Sequence, residues 1–246
     1  MTSQAYANFV DGLQFARELI QIESAIPDPP PPQDRKRAAA LRAGAVVLMV
    51  GAWEHFLREM VEEHFQQLTL ARGVQRSRLP MKLQTTAVWN SLKIALDGPP
   101  FIQTTRQVRI PAVVQASQLT VNDDVDPSAL SVMRSNPKGR VVREMFADLG
   151  ISDIWAVIQP AFTTKWRSPI GSLSDQIDAI VDYRHIAAHT PRVLAIARRD
   201  LTNSVQLLNT VGDVLDEYVD RYCQATAAAC VVTTTTPATP VGLQRT

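Results

Sequence analysis

Cysteine, histidine and aromatic side chains are all scarce in this chain. Among 246 residues there are two cysteines and four histidines, and aromatic residues make up 6%. Cys223 and Cys230 sit near the end and fit no metal-ligand spacing of the CxxC kind, which argues against both a disulfide framework and a zinc module. Charge of one sign is missing as well. The 25 Lys and Arg nearly cancel the 24 Asp and Glu, leaving +1, so no whole-molecule field draws in nucleic acid or membrane and any anion site must be local. The most apolar run, Ala43 to Trp53, falls short of the roughly 18 residues a bilayer span needs and reads as a buried helix segment. The opening residues lack the basic flank and continuous apolar run of a signal peptide. Together these absences predict a cytoplasmic protein with no membrane partner. No GxGxxG, GKS/T or GxSxG stretch occurs, so dinucleotide, P-loop and serine-hydrolase chemistry have no support.

What the chain does have is 46% apolar residues arranged mostly at helical spacing. Phe9, Leu13, Ala16 and Ile20 recur at steps of three and four and predict a helix over 3–25, stopped by the PDPPPPQD stretch at 27–34. Residues 34–72 contain no proline and predict one long helix, kinked near Gly44 or Gly51, with Phe56, Met60, Phe65 and their neighbours forming an apolar stripe. A third helix is expected over 80–96. Residues 101–126 mix β-branched and polar residues around Pro111, and a short hairpin or irregular segment fits them best. Asp126 and Pro127 are the cap and first-turn residue of renewed helix; a turn at 136–139 leads into a short helix ending at Gly150. Ser172 or Ser174 starts the next helix, Pro191 ends it, and a last helix runs over 191–223. The expectation is therefore an all-α fold in one domain, 1–223, with an irregular insertion at about 97–135. Residues 224–246, low in charge and rich in Thr, Ala and Pro, are expected to be a disordered tail.

The chemistry concentrates in Asp182-Tyr-Arg-His-Ile-Ala-Ala-His189, which holds two of the four histidines. At about 100 degrees per residue, Asp178, Asp182, His185 and His189 fall on one polar stripe, while Ile177, Ile180, Val181 and Ala188 lie opposite with Arg184 in their midst. An unpaired buried guanidinium costs several kcal/mol, so Arg184 must meet a carboxylate such as Glu54, Glu62 or Asp178, a set of carbonyls, water, or a bound phosphate. Thr190 precedes a proline and resists the helical region. His189 is therefore expected at a loosening helix end, able to turn toward the arginine.

Arg184-His185-Ile186-Ala187-Ala188-His189 resembles the R-x4-6-H motif of the HEPN superfamily. VVLMVGAWEHFLREMVEEHF resembles the first core helix of its RiboL-PSP-HEPN branch, and RSNPKGRVVREMFADLGI is similar to that branch's NP turn and following short helix. The resemblance implies a HEPN-like helical bundle dimerising through the motif helices. It also implies a metal-independent endoribonuclease of a toxin–antitoxin or anti-phage defence system, with RNA as substrate, no cofactor, and an antitoxin or defence protein as partner. Arg184 would hold the scissile phosphate, His189 would act as general acid or base, and His185 would orient or touch the phosphate. Asp178, Asp182 and Glu54 are the candidate orienting acids. Because some HEPN proteins are catalytically silent, an oligomerisation or partner- and nucleotide-binding module is the alternative.

Asp182, His185 and His189 are spaced i, i+3, i+7, but Ile186 stands where a zincin places glutamate and no fourth ligand is evident, so no metal is expected. His55 and His64 lie on different helix faces and are expected to face solvent or cap. Trp53, Trp89, Trp155 and Trp166 are expected to anchor core or interface rather than to stack bases.

Overall fold

The computed structural model describes residues 2–70, 74–97, 106–133, 135–167, 171–189 and 191–230, with the side chains of Arg106, His189, Pro191 and Arg192 outside that description. Among the described residues there are eight α-helices and no strand. They are α1 (Gln4–Ser24), α2 (Arg35–Leu70), α3 (Met81–Asp97), α4 (Arg106–Val121), α5 (Gly139–Asp148), α6 (Ile154–Trp166), α7 (Leu173–His189) and α8 (Arg198–Cys230), with 3-10 turns at Arg76–Arg78, Pro127–Ala129 and Pro191–Ala195. The fold is all-α, as the periodicity implies.

Helices α1, α2 and α8 pack mutually to form the centre, α7 lies against α2, and α6 covers α8. Along α1 the expected positions Phe9, Leu13, Ala16 and Ile20 are buried; Phe9 stacks on Phe56 of α2 at 4.5 Å. Ser3 caps the helix by accepting from the Tyr6 amide. On α8, Leu201, Val205, Leu208, Val211, Leu215 and Val219 form the matching stripe at steps of three and four. Helix α2 includes an 18-residue window of mean hydropathy 1.3, apolar enough by composition to cross a bilayer. Here it is the helix that α1, α7 and α8 pack upon.

Several expected elements are corrected. Part of the supposed hairpin or irregular insertion at 101–126 is helix α4, with Pro111 inside it; residues 101–105 lie outside the described residues. Pro111 withholds one ladder hydrogen bond. The helix nevertheless packs on α3, and Arg76 fastens its end by donating to the Thr120 carbonyl at 2.8 Å. Its pattern misleads because the apolar side chains face outward: Val108, Ile110, Val114 and Val121 are exposed and Ala116 is buried. Asp126 does act as a cap, accepting from the Ser128 amide, but of one 3-10 turn rather than an α-helix. Helix α6 escapes the periodicity reading because Pro160 interrupts it, although Ile154, Trp155, Ile158 and Phe162 are all buried. The last helix begins at Arg198, not at Pro191, and runs on to Cys230, so 224–230 are helical; 231–246 lie outside the described residues. The short helix before Gly150 forms as expected, and Gly150 takes φ +94, the left-handed conformation that glycine adopts at least cost.

Candidate active site

Helix α7 begins where Ser172 Oγ accepts from the Asp175 amide at 3.3 Å. Its first half is a core helix, with Leu173, Ile177, Ile180 and Val181 all buried. The second half leaves the core. Ala188, expected on the apolar side, is exposed, as is His185. Arg184 therefore stands at the edge of the packed region with 37% of its side chain exposed. His189 is the last residue of α7, and its side chain lies outside the described residues.

Of the carboxylates considered for Arg184, Glu54 is the one that meets it: Nη1 donates to Glu54 Oε2 at 3.2 Å. Glu62 instead accepts from the Ser131 hydroxyl at 2.6 Å. Asp178 and Asp182 turn to the other flank of α7. Asp178 Oδ1 accepts from the Gly139 amide at 2.7 Å, and Asp182 Oδ1 lies 2.6 Å from Lys138 Nζ. That hydrogen bond raises the Lys138 pKa. These two acids fix the Asn136–Gly139 turn rather than the arginine.

Two tryptophans complete that attachment. Trp53 Nε1 donates to the Pro137 carbonyl at 3.2 Å and Trp155 Nε1 donates to the Gly139 carbonyl at 2.7 Å. Buried indoles need such acceptors, so Trp53 and Trp155 are core anchors. Trp89 is exposed and Trp166 is half-buried. Trp53 and Glu54 are consecutive on α2, so that helix holds the turn with one residue and the motif arginine with the next.

Sequence spacing left two participants unremarked. Arg58, one turn beyond Glu54, donates to Glu54 Oε1 at 2.7 Å; its i, i+4 spacing is a readable signal. Lys138 meets Asp182 through tertiary packing alone, and no local pattern announces it. Of the other histidines, His55 is solvent-facing and pairs with Glu59 at 3.0 Å. His64 corrects expectation: it is buried, 2.9 Å from Asp216 of α8. Its helix face looks polar in the sequence because the partner carboxylate is 152 residues away. Among the described residues, no three His, Cys, Asp or Glu side chains converge to hold a metal ion.

The RiboL-PSP-HEPN family model matches residues 14–221, from within α1 to near the end of α8. The chain belongs to the RiboL-PSP-HEPN family. That span takes in α2 with Glu54, the 136–139 turn and the whole of α7, so the HEPN match covers every candidate site residue. No curated protein and no solved structure matches this HEPN chain.

Proposed function

We propose that this protein is a metal-independent endoribonuclease of the HEPN type, serving a toxin or anti-phage defence system, in which two protomers face their motif helices across a shared cleft. The reading is carried by one observation: Arg184, at the core's edge and 37% exposed, is oriented by Glu54 without being sealed, beside exposed His185 and five residues before His189. In this chemistry the 2'-oxygen of RNA bonds to the adjacent phosphorus while the bond to the 5'-oxygen breaks. The products are a 2',3'-cyclic phosphate and a 5'-hydroxyl. His189 takes the 2'-hydroxyl proton or supplies the proton to the departing oxygen, since imidazole exchanges protons near neutral pH. Arg184 offsets the charge that builds on the phosphate oxygens with directed N–H groups. His185 orients one of these groups or touches the phosphate. The reaction, its cytoplasmic setting and an antitoxin or defence partner make up one proposal.

The Arg184–Glu54 ion pair also favours a second reading, a catalytically silent module whose guanidinium holds α7 to α2 for assembly. Cleavage of RNA by purified wild type, Arg184→Ala and His189→Ala separates them, with sedimentation measured alongside. The nuclease reading expects cleavage lost in both variants, by a factor of about a hundred or more, with assembly intact. Equal behaviour of all three proteins toward every RNA offered removes it; weakened assembly of Arg184→Ala without any cleavage supports the silent module.

A further inference from the structure

Glu54 is shared by two arginines. Its Oε1 accepts from Arg58 Nη2 at 2.7 Å and its Oε2 from Arg184 Nη1 at 3.2 Å, the second arriving from a residue 130 positions away. An i, i+4 pair on one helix is a common surface feature. The arrival of Arg184 from α7 changes its meaning, because two guanidiniums now converge on opposite oxygens of a single carboxylate. All three groups remain accessible, with Arg58 46%, Arg184 37% and Glu54 26% exposed. Two cations against one anion leave one positive charge in excess. Of the neighbouring acids, Asp182 is paired with Lys138, Glu59 contacts His55, and Glu62, one turn beyond Arg58, accepts from the Ser131 hydroxyl.

A phosphodiester has one negative charge and two non-bridging oxygens, and planar guanidinium forks suit it. We propose that Arg58 is a second phosphate-binding arginine of this cleft, and that Glu54 is the resident counter-ion from which Arg58 is drawn to the backbone of single-stranded RNA. This rests on the nuclease reading for the identity of the ligand, and it extends that reading by assigning a residue outside the motif helix. Arg184 keeps its orientation on Glu54 while Arg58, on a flexible stem at the exposed end of the pair, supplies the added contact. Arg58 is thus a binding residue, and Glu54 sets how readily it is released.

The test is binding of a single-stranded 2'-O-methyl oligoribonucleotide, which cannot be cut by 2'-hydroxyl attack, to the full chain. Fluorescence anisotropy over a range of salt gives affinity and salt slope. Arg58→Gln is expected to weaken binding about tenfold and to flatten the salt slope by about 0.7, the share of one phosphate contact on a single strand. Arg58→Lys should restore part of the affinity. Glu54→Gln should move the other way, binding several-fold tighter because the competing carboxylate charge is gone, while RNA cleavage slows as Arg184 loses its orienter. A purely structural pair predicts that both substitutions weaken binding together, and that result overturns the proposal. So does an Arg58→Gln protein with wild-type affinity and slope, or a wild type that does not bind the oligonucleotide. The two readings fail separately: unaltered binding by Arg58→Gln with intact cleavage removes the role of Arg58 alone. The expected binding pattern without cleavage in wild type removes the nuclease alone.

Discussion

His64 Nε2 lies 2.9 Å from Asp216 Oδ1, joining α2 to α8 with both side chains all but sealed from water. The same carboxylate takes the Ser3 hydroxyl at 2.5 Å and the Ser3 amide at 3.1 Å. One buried anion thus ties the start of α1, the last turns of α2 and the middle of α8. Burial alone would push the Asp216 pKa up; the hydrogen bonds from His64 and Ser3 outweigh it and hold the carboxyl below its ordinary value.

An acid-sensitive component of stability follows. A lowered folded-state pKa means that the unfolded chain takes up the proton first as pH falls. The contribution is therefore fully present above the ordinary aspartate value of about 4 and is lost as pH drops through the folded value below it. Asp216→Asn is expected to lower stability at pH 7 by about 1–3 kcal/mol. It should also show a shallower acid loss than wild type when unfolding by urea is followed between about pH 5 and pH 2. Parallel acid limbs for the two proteins would contradict this.

A second buried ionic cluster joins α1, α2 and α8 at the opposite end of the core. Glu23 and Arg42, each 1% exposed, pair at 2.8 Å, and Arg42 also donates to the Ile196 carbonyl at 2.8 Å. Arg198 donates to Glu23 and to the Ile26 carbonyl. Glu23→Gln leaves the buried Arg42 with only the partly exposed Asp28, 3.1 Å away, as counter-charge and is expected to cost about 3 kcal/mol, whereas replacing Glu23 and Arg42 together by apolar residues should cost less. Chemical denaturation of the two variants decides it, and an equally mild loss in the single variant goes against it.

Gly139 is fixed by contact. A Cβ there would stand 2.2 Å from Ser174 Oγ and 2.8 Å from the Ser174 backbone. Gly139→Ala should destabilise by about 3 kcal/mol or more, with only partial rescue by Ser174→Ala because the backbone clash stays. Thermal melting of the single and double variants reads this directly; an unshifted midpoint in Gly139→Ala would show that the turn does not approach α7 so closely.

The two thiols are free and buried. Burial, aided by the nearby Asp220 charge, pushes the Cys223 thiol up to about 12, and Cys230 Sγ donates to the Arg78 carbonyl at 3.2 Å. Since the thiolate is the reactive form, Cys223 should react slowly with an aromatic disulfide reagent at neutral pH; Cys230 should do so because it is buried, and both should react with the reagent once the protein is unfolded. Prompt reaction of Cys223 in the native protein would rule out its sealed position.

The candidate site was legible in the sequence to the extent that local spacing governs it. Periodicity places Arg184 on the core side of α7 and His185 on the polar stripe, and the Arg-to-His interval is written in the chain. The mate of Arg184 was one of three acids, Glu54 and Glu62 on α2 and Asp178 on α7 itself, and choosing Glu54 needs the crossing of α2 and α7. Asp178 and Asp182 look like orienters by spacing, yet the turn at 138–139 occupies both.

Sequence alone determined the all-α character, the long central helix, the motif's residues and their order, because helical periodicity, proline stops and capping residues act within a few positions of themselves. Tertiary structure decided that His64 is buried against Asp216, that Pro111 lies within a helix supported by α3, that α7 runs out of the core just where Arg184 stands, and that Arg58 and Arg184 share Glu54. Each of these depends on which helix faces lie within hydrogen-bond range of one another. Groups 84 to 152 residues apart, such as Trp53 and Pro137 or His64 and Asp216, meet only once the helices have docked.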